Sequence, residues 1–306
     1  VTPGRLLKQL IRFYSIKASG NYEKNEVDKY ISINSFSDSP LELRGPLPEL
    51  EILVPAAAKD LEISKLTVIS ALQTSLNPIS KITLVVPQND LNLFQEYFKE
   101  LELDSLIILD EEELVGTDLL LRIRSRYGNR AGWVLAEFIK YIFISRSEKS
   151  GVLVVDADTI LTSDRVWLTQ DLKQNVFPVF EYHQHYFDFL FFLGVPMADT
   201  DQSYMSHYML FQPSIYREMI QEFKSTEPLE TLNLLINFPS NNPHSPVCFC
   251  YEAYGHFAKH EYPERIIDAK WANVQVPRNE FLRSKDRYLH VGKKHFSSIS
   301  THSYLK

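Results

Sequence analysis

The stretch Gly151-Val152-Leu153-Val154-Val155-Asp156-Ala157-Asp158-Thr159-Ile160-Leu161 constrains the fold more than any other part of the chain. Four consecutive apolar residues, three of them valine, read as a strand buried on both faces, and such strands belong to sheets covered by helices. The strand delivers two carboxylates, one residue apart, at its carboxyl end, the edge where open α/β sheets bind ligands. Neighbouring carboxylates repel each other at neutral pH. A divalent cation between them, with an anionic diphosphate beyond it, relieves that repulsion. The same pair also occurs as a plain turn or helix cap, so the surrounding elements have to decide.

Those elements alternate. Residues 50–55 read as a short strand, 61–76 as a helix that stops before Asn77-Pro78, 81–87 as a second buried strand, 91–101 as a helix and 106–109 as a third strand. A strongly apolar helix over 131–146 leads directly into the Asp156/Asp158 strand. Strands alternating with helices at this spacing predict right-handed βαβ units and a parallel sheet. Past Asp158 the pattern is mixed, with strands expected at 177–182, 208–211 and 288–291, helices at 213–223 and 251–260, and a polar loop at 239–246. Residues 1–48 read as an N-terminal extension, partly helical, ahead of one domain over 49–306.

Composition removes several function classes. A net charge of -7 gives no basic footprint for nucleic acid. Cys248 and Cys250, the two cysteines, offer neither a second pair for zinc nor a disulfide framework, so a reducing cytoplasm is the expected location. No window has the length of a membrane-spanning helix and no secretory signal peptide is recognised. The helix expected over 3–15 carries Arg5, Lys8 and Arg12 beside Leu6, Leu7, Leu10, Ile11, Phe13 and Tyr14. It reads either as a peripheral contact with the anionic inner face of a membrane or as a helix packed on its own domain. No Gly-x-Gly-x-x-Gly follows the first strand and no phosphate-binding P-loop motif is present, which disfavours both dinucleotide and P-loop sites.

Three segments add to the Asp156/Asp158 strand: Gly132-Trp133 with Lys140 ahead of it, His207-Tyr208-Met209-Leu210-Phe211 after it, and Tyr251-Glu252-Ala253-Tyr254-Gly255 beyond. Together they resemble a family of bacterial glycosyltransferases of uncharacterised specificity and, more distantly, the glycogenin and galactosyltransferase-like family. The resemblance covers about residues 50–300. It implies the GT-A (nucleotide-diphospho-sugar transferase) fold, an α/β architecture with a Rossmann-like mixed central sheet and flanking helices. Residues 49–160 would be the nucleotide-sugar-binding half and 161–306 the acceptor-binding half. The implied activity is metal-dependent transfer of a sugar, of hexosyl type, from a nucleotide-sugar donor to a hydroxyl of a saccharide or lipid-linked acceptor in bacterial surface glycan synthesis. A UDP-sugar is the expected donor, with Mn²⁺ or Mg²⁺ as cofactor.

On this resemblance Asp158 ligates the metal and Asp156 supplies a second contact, to the metal or to the donor ribose. The run Leu289-His290-Val291-Gly292-Lys293-Lys294 resembles the family's His-x-Gly-x-x-Lys motif, with His295 where the lysine belongs. His290 is then the third metal ligand, or a structural histidine at a strand end, and Lys293 or Lys294 reaches a phosphate. Lys140 contacts donor sugar or diphosphate, or else buries its stem and sends its head to solvent. Asp60, after the first strand, accepts from base or ribose, or caps a helix, and for Asp90 the helix cap is the preferred reading. His207 contacts sugar hydroxyls or satisfies the core. Glu252 is the candidate catalytic carboxylate: a general base in an inverting transfer, a stabiliser of an oxocarbenium-like transition state in a retaining one, or a helix N-terminal acid. The alternatives to a transferase of sugars are a sugar-nucleotide nucleotidyltransferase, which lacks its glycine-rich basic loop at 54–60, and an inactive GT-A module that binds nucleotide or glycan.

Overall fold

The computed structural model describes residues 45–179, 183–198, 202–223, 226–238, 249–269 and 271–303. The helix expected over 3–15, the extension up to residue 44, the polar loop at 239–246 and Cys248 lie outside the described residues. Strands β1 (Leu50–Pro55), β2 (Ile79–Val86) and β3 (Leu106–Asp110) alternate with helices α1 (Leu61–Thr74) and α2 (Leu91–Phe98). Helices α3 (Glu111–Val115), α4 (Thr117–Tyr127) and α5 (Ala131–Arg146) lead to β4 (Gly151–Val155). Next come β5 (Thr159–Leu161), β6 (Gln174–Val176), α6 (Gln184–Leu193), β7 (Tyr208–Phe211), α7 (Pro213–Glu222) and α8 (Pro228–Ile236). The described chain closes with α9 (Cys250–Glu261), β8 (Ile266–Asp268), β9 (Asn273–Pro277), α10 (Arg278–Arg283), α11 (Lys285–His295) and β10 (Ser298–His302).

The expected α/β class, with a mixed central sheet and flanking helices, is what forms. The main sheet runs β3-β2-β1-β4-β7, parallel throughout except for β7, which pairs antiparallel with β4. All five residues of β4 are buried, and the period of two divides them between two apolar layers. Val152 and Val154 join the layer built around α5, α6, α7 and α9, whereas Leu153 and Val155 join the layer with Val68 and Ala71 of α1 and Phe94 and Phe98 of α2. Each such fully buried Val or Leu side chain contributes about 1.5–3 kcal/mol. Gly151 is required where β1, β4 and β7 crowd: a Cβ there would sit 2.9 Å from the side chains of both Leu50 and Leu210.

The order of strands reverses beside β1. From it the chain winds outward through β2 and β3, then crosses back to β4 on the other side, which opens a crevice between the carboxyl ends of β1 and β4. A second sheet, β5-β10-β9, follows on from β4 and brings the end of the chain back to that crevice.

Two expected strands are corrected. Residues 288–291 lie inside helix α11, because a four-residue segment interrupted by His290 cannot report a period, and burial here repeats every four: Tyr288 and Gly292 are the buried pair. Gly292 allows the helix to settle on the second sheet, since a Cβ would be 2.8 Å from Ile299 and Thr162 side-chain carbons. The strand expected at 177–182 forms earlier, as β6, and Val179 makes only an isolated bridge with Ser203; residues 180–182 are outside the description. Cys250 is a buried free thiol against Tyr216 and the Glu137 carbonyl, and burial pushes it well above its ordinary value. Among the described residues no helix is long and apolar enough to cross a membrane.

Candidate active site

The turn after β4 is pinned from three sides. Asp156 donates its backbone N–H to the His207 carbonyl, the Ala157 carbonyl accepts from the Thr67 hydroxyl of α1, and the Asp158 carbonyl accepts from Thr301 N–H of β10. Both aspartates are thereby held at the mouth of the crevice with partly exposed side chains, 29% for Asp156 and 22% for Asp158.

Each carboxylate faces one imidazole and one cation. Asp156 has His207 Nδ1 at 3.2 Å, accepts from the Tyr251 hydroxyl at 2.9 Å and has Lys140 Nζ at 4.0 Å. Burial alone would raise its carboxyl, but Lys140, His207 and Tyr251 together hold it below the ordinary aspartate range. Asp158 has His302 Nδ1 at 3.0 Å and Arg278 Nη2 at 3.8 Å. The two imidazole rings lie 5.2 Å apart, which closes a chain Asp156–His207–His302–Asp158 around the crevice.

The supporting residues come from distant parts of the chain. Lys140, on α5 and almost fully buried, donates to Glu137 at 2.6 Å and sits 4.3 Å over the Tyr251 ring. The other Glu137 oxygen accepts the backbone N–H groups of Phe249 and Cys250 at 2.9 Å each, so a buried carboxylate caps α9. Arg278, at the start of α10, donates to Asp60 at 2.7 Å, to the Lys59 carbonyl and to the Thr301 carbonyl. Burial raises the Asp60 carboxyl despite the opposing hydrogen bond from Arg278. His207 holds a left-handed backbone, φ +66°, uncommon without glycine and a sign of local strain. Its ring stacks near Trp271, whose Nε1 is fixed on the Ser206 carbonyl.

The candidates from the sequence divide accordingly. Asp60, Lys140, Asp156, Asp158 and His207 are brought together. Asp90 does not cap its own helix; it accepts the Ala58 N–H in the turn after β1. His290 is corrected as the third metal-site candidate, because the strand that would aim it at the carboxylates is the helix α11 and its side chain is exposed. Lys293 and Lys294 are exposed on the same helix. The histidine beside Asp158 is His302. Glu252 is also corrected: it is completely buried, accepting from the Ser203 hydroxyl and, at 2.9 Å, from Tyr204 N–H, with His256 Nε2 3.7 Å away. A carboxylate so enclosed anchors the segment 203–207 that carries His207, and among the described residues it has no exposed surface. Arg278 and His302 were not legible as site residues, since neither stands in a local motif that reports its neighbours in space; Tyr251 stands in the quoted segment 251–255, but nothing in that segment reports its contact with Asp156.

Two carboxylates and two imidazoles are a donor set that suits Mn²⁺ in kind. As placed, each aspartate is paired with its own imidazole, and among the described residues no group of three or more His, Cys, Asp or Glu side chains is gathered at metal-holding spacing. A cation would therefore have to displace the imidazole pairing.

No protein-family model matches the sequence. No curated protein matches it either. Among solved structures the chain is similar to mouse xyloside xylosyltransferase 1, at 11% identity and a TM-score of 0.46 over 83% of this chain and 98% of that one. It is also similar to the WbbM bifunctional glycosyltransferase, at 11% identity and a TM-score of 0.44 over 98% of this chain and 58% of that one. A third likeness is to the glycosyltransferase GlyE of Streptococcus pneumoniae, at 13% identity and 0.41, over 84% and 55%. At these values the likeness carries no argument, and the site has to be read from its own residues.

Proposed function

We propose that the chain is a glycosyltransferase that takes a nucleotide-sugar donor, with UDP as the expected nucleotide and a divalent cation as cofactor. The observation that carries this reading is the position of Asp156 and Asp158: at the carboxyl end of β4, beside the reversal of strand order, with a separate imidazole and a separate cation behind each. Asp156, Asp158 and His302 would hold the cation, which when bound would neutralise the diphosphate of the donor as it leaves. Asp60, in the turn after β1 and paired with Arg278, would accept from the ribose or base. Lys140 helps hold the Asp156 carboxyl below its ordinary range and Arg278 stands beside Asp158, so the charges that would face the donor are fixed in place. His207, strained and anchored through Ser206 and Trp271, is the polar ring best placed to meet sugar hydroxyls. A hexosyl group as the transferred sugar, and a surface glycan as the acceptor, are the finer expectations that the sequence resemblance supports.

The test is calorimetric titration of UDP, GDP and CMP, each with Mn²⁺ and with EDTA, into wild type and Asp158→Ala. The expected result is binding of one nucleotide that requires the metal and disappears in the variant. Absence of nucleotide binding under either condition would overturn the reading.

A further inference from the structure

Glu137 bonds to neither aspartate, yet its two oxygens hold the two groups that border Asp156. One oxygen accepts from the Lys140 ammonium at 2.6 Å. The other accepts the backbone N–H groups of Phe249 and Cys250, each at 2.9 Å, and so fixes the start of α9. The next residue of that helix, Tyr251, donates its hydroxyl to Asp156 Oδ1 at 2.9 Å. The Tyr251 ring lies 4.3 Å from the Lys140 ammonium, which stands 4.0 Å from the same Oδ1. Glu137, Lys140, Asp156, Tyr251 and the start of α9 therefore close a ring, with Glu137 on the side away from the crevice.

The distances around that ring are unequal in a telling way. At 2.6 Å the ammonium makes a charge-assisted hydrogen bond to Glu137, whereas at 4.0 Å it makes none to Asp156. A shift of about 1 Å at the end of the flexible lysine stem would bring it onto Oδ1. Two contacts oppose that shift: the bond to Glu137 and the seat over the Tyr251 ring. The side chains of Glu137 and Lys140 are 2% and 5% exposed, so water is not there to take the place of the carboxylate. An ammonium bonded to Oδ1 would occupy lone pairs that a divalent cation needs.

We propose that Glu137 is a positioning residue: it withholds Lys140 from Asp156 and so leaves Asp156 Oδ1 open to a cation. That a cation is what Asp156 receives rests on the transferase reading above. The withholding itself rests only on the contacts of Glu137, Lys140 and Tyr251.

The test begins with Glu137→Gln. Its amide oxygen still caps α9, but its NH₂ group meets the ammonium donor to donor. Among the described residues Asp156 is the other carboxylate within 4.0 Å of Lys140. In a metal-free crystal structure of this variant, Lys140 Nζ should therefore lie about 3 Å from Asp156 Oδ1. Binding of Mn²⁺ without nucleotide, followed by electron paramagnetic resonance of the free ion, should be about tenfold weaker than in wild type. The double variant Glu137→Gln/Lys140→Met removes both buried charges, a replacement that ion pairs often tolerate, and should bind Mn²⁺ as wild type does.

An ammonium that keeps its place in Glu137→Gln would overturn the proposal whatever the affinity, because loss of one negative charge alone also weakens cation binding. So would a folded double variant with Mn²⁺ binding about tenfold weaker than wild type, a comparison that does not need the single variant to fold. If wild type binds neither Mn²⁺ nor nucleotide while the ammonium moves in Glu137→Gln, the transferase reading falls and the placement of Lys140 by Glu137 stands.

Discussion

Glu252 separates a chemical role from an anchoring one through a pair of substitutions. Its two oxygens accept from the Ser203 hydroxyl and the Tyr204 N–H, and the residue has no exposed surface. Glu252→Ala removes both acceptors and leaves two buried donors. At about 1.5–3 kcal/mol for each hydrogen bond to a charged group, the loss is about 3–6 kcal/mol, a large share of the ~5–15 kcal/mol that holds a typical domain. For a domain of this size that corresponds to a fall in Tm of roughly 5–11 °C. Glu252→Gln keeps the shape and one carbonyl acceptor for Tyr204 N–H, and its amide can donate to Ser203 once the hydroxyl turns. The expected cost is a small fraction of that of the alanine variant.

Activity then decides. If Glu252 anchors the segment 203–207, turnover of the donor should follow stability: nearly retained in Glu252→Gln and lost with folding in Glu252→Ala. If Glu252 were the base that takes the acceptor proton, Glu252→Gln would keep its Tm and lose about 10²–10⁴-fold in kcat. Thermal unfolding measured beside turnover of the nucleotide sugar chosen by the binding screen distinguishes the two. A folded, cold-stable Glu252→Gln with turnover down a hundredfold would refute the anchoring argument.

Two further outcomes follow from the same geometry. His302→Ala should weaken metal-dependent nucleotide binding at least about tenfold, because the ring beside Asp158 is removed, whereas His290→Ala on the exposed face of α11 should leave it unchanged. Equal losses in both variants, measured by calorimetry, would reinstate the sequence motif over the spatial neighbour. Asp156 has a folded-state pKa below its unfolded value, so its contribution to stability is present above about pH 4 and is lost as pH falls through the depressed folded value. Asp156→Asn should therefore be less stable than wild type at neutral pH, with the gap closing in acid; a gap that stays constant down to pH 2 would refute that linkage.

The sequence exposed the strands that are buried on both faces and hid those held by polar contacts. Leu50–Pro55, Gly151–Val155 and Tyr208–Phe211 are apolar runs whose burial follows from composition alone. Strand β10 reads Ser-Ile-Ser-Thr-His and looks like surface, yet all five residues are buried. Ser298 and Ser300 both donate to the Asn273 side-chain oxygen, and Thr301 N–H reaches the Asp158 carbonyl. Buried polar residues that satisfy one another leave no trace in a hydrophobic pattern. His302 was missed for that reason. Arg278 was missed because its partners, Asp60 and Asp158, are more than a hundred residues away in sequence.

The buried charges are the remaining argument for what the crevice receives. Glu137, Lys140, Asp60 and Arg278 have side chains at most 10% exposed, and a buried ion pair is weak evidence of stabilisation even though breaking one costs about 3–5 kcal/mol. Such pairs make sense where they fix charge for another purpose. Among the described residues around the crevice, four carboxylates, Asp60, Glu137, Asp156 and Asp158, face one ammonium and one guanidinium; Lys59, near Asp60, is exposed and screened by water. Leaving the imidazoles aside, these groups hold two more negative than positive formal charges, and Asp156 and Asp158 are the ones that open to solvent. A divalent cation cancels that excess, and it can do so there only by taking His207 and His302 away from their aspartates. Asp158→Ala halves the excess, which is why loss of metal-dependent binding in that variant would report on the charge arithmetic of the crevice and not merely on one missing contact.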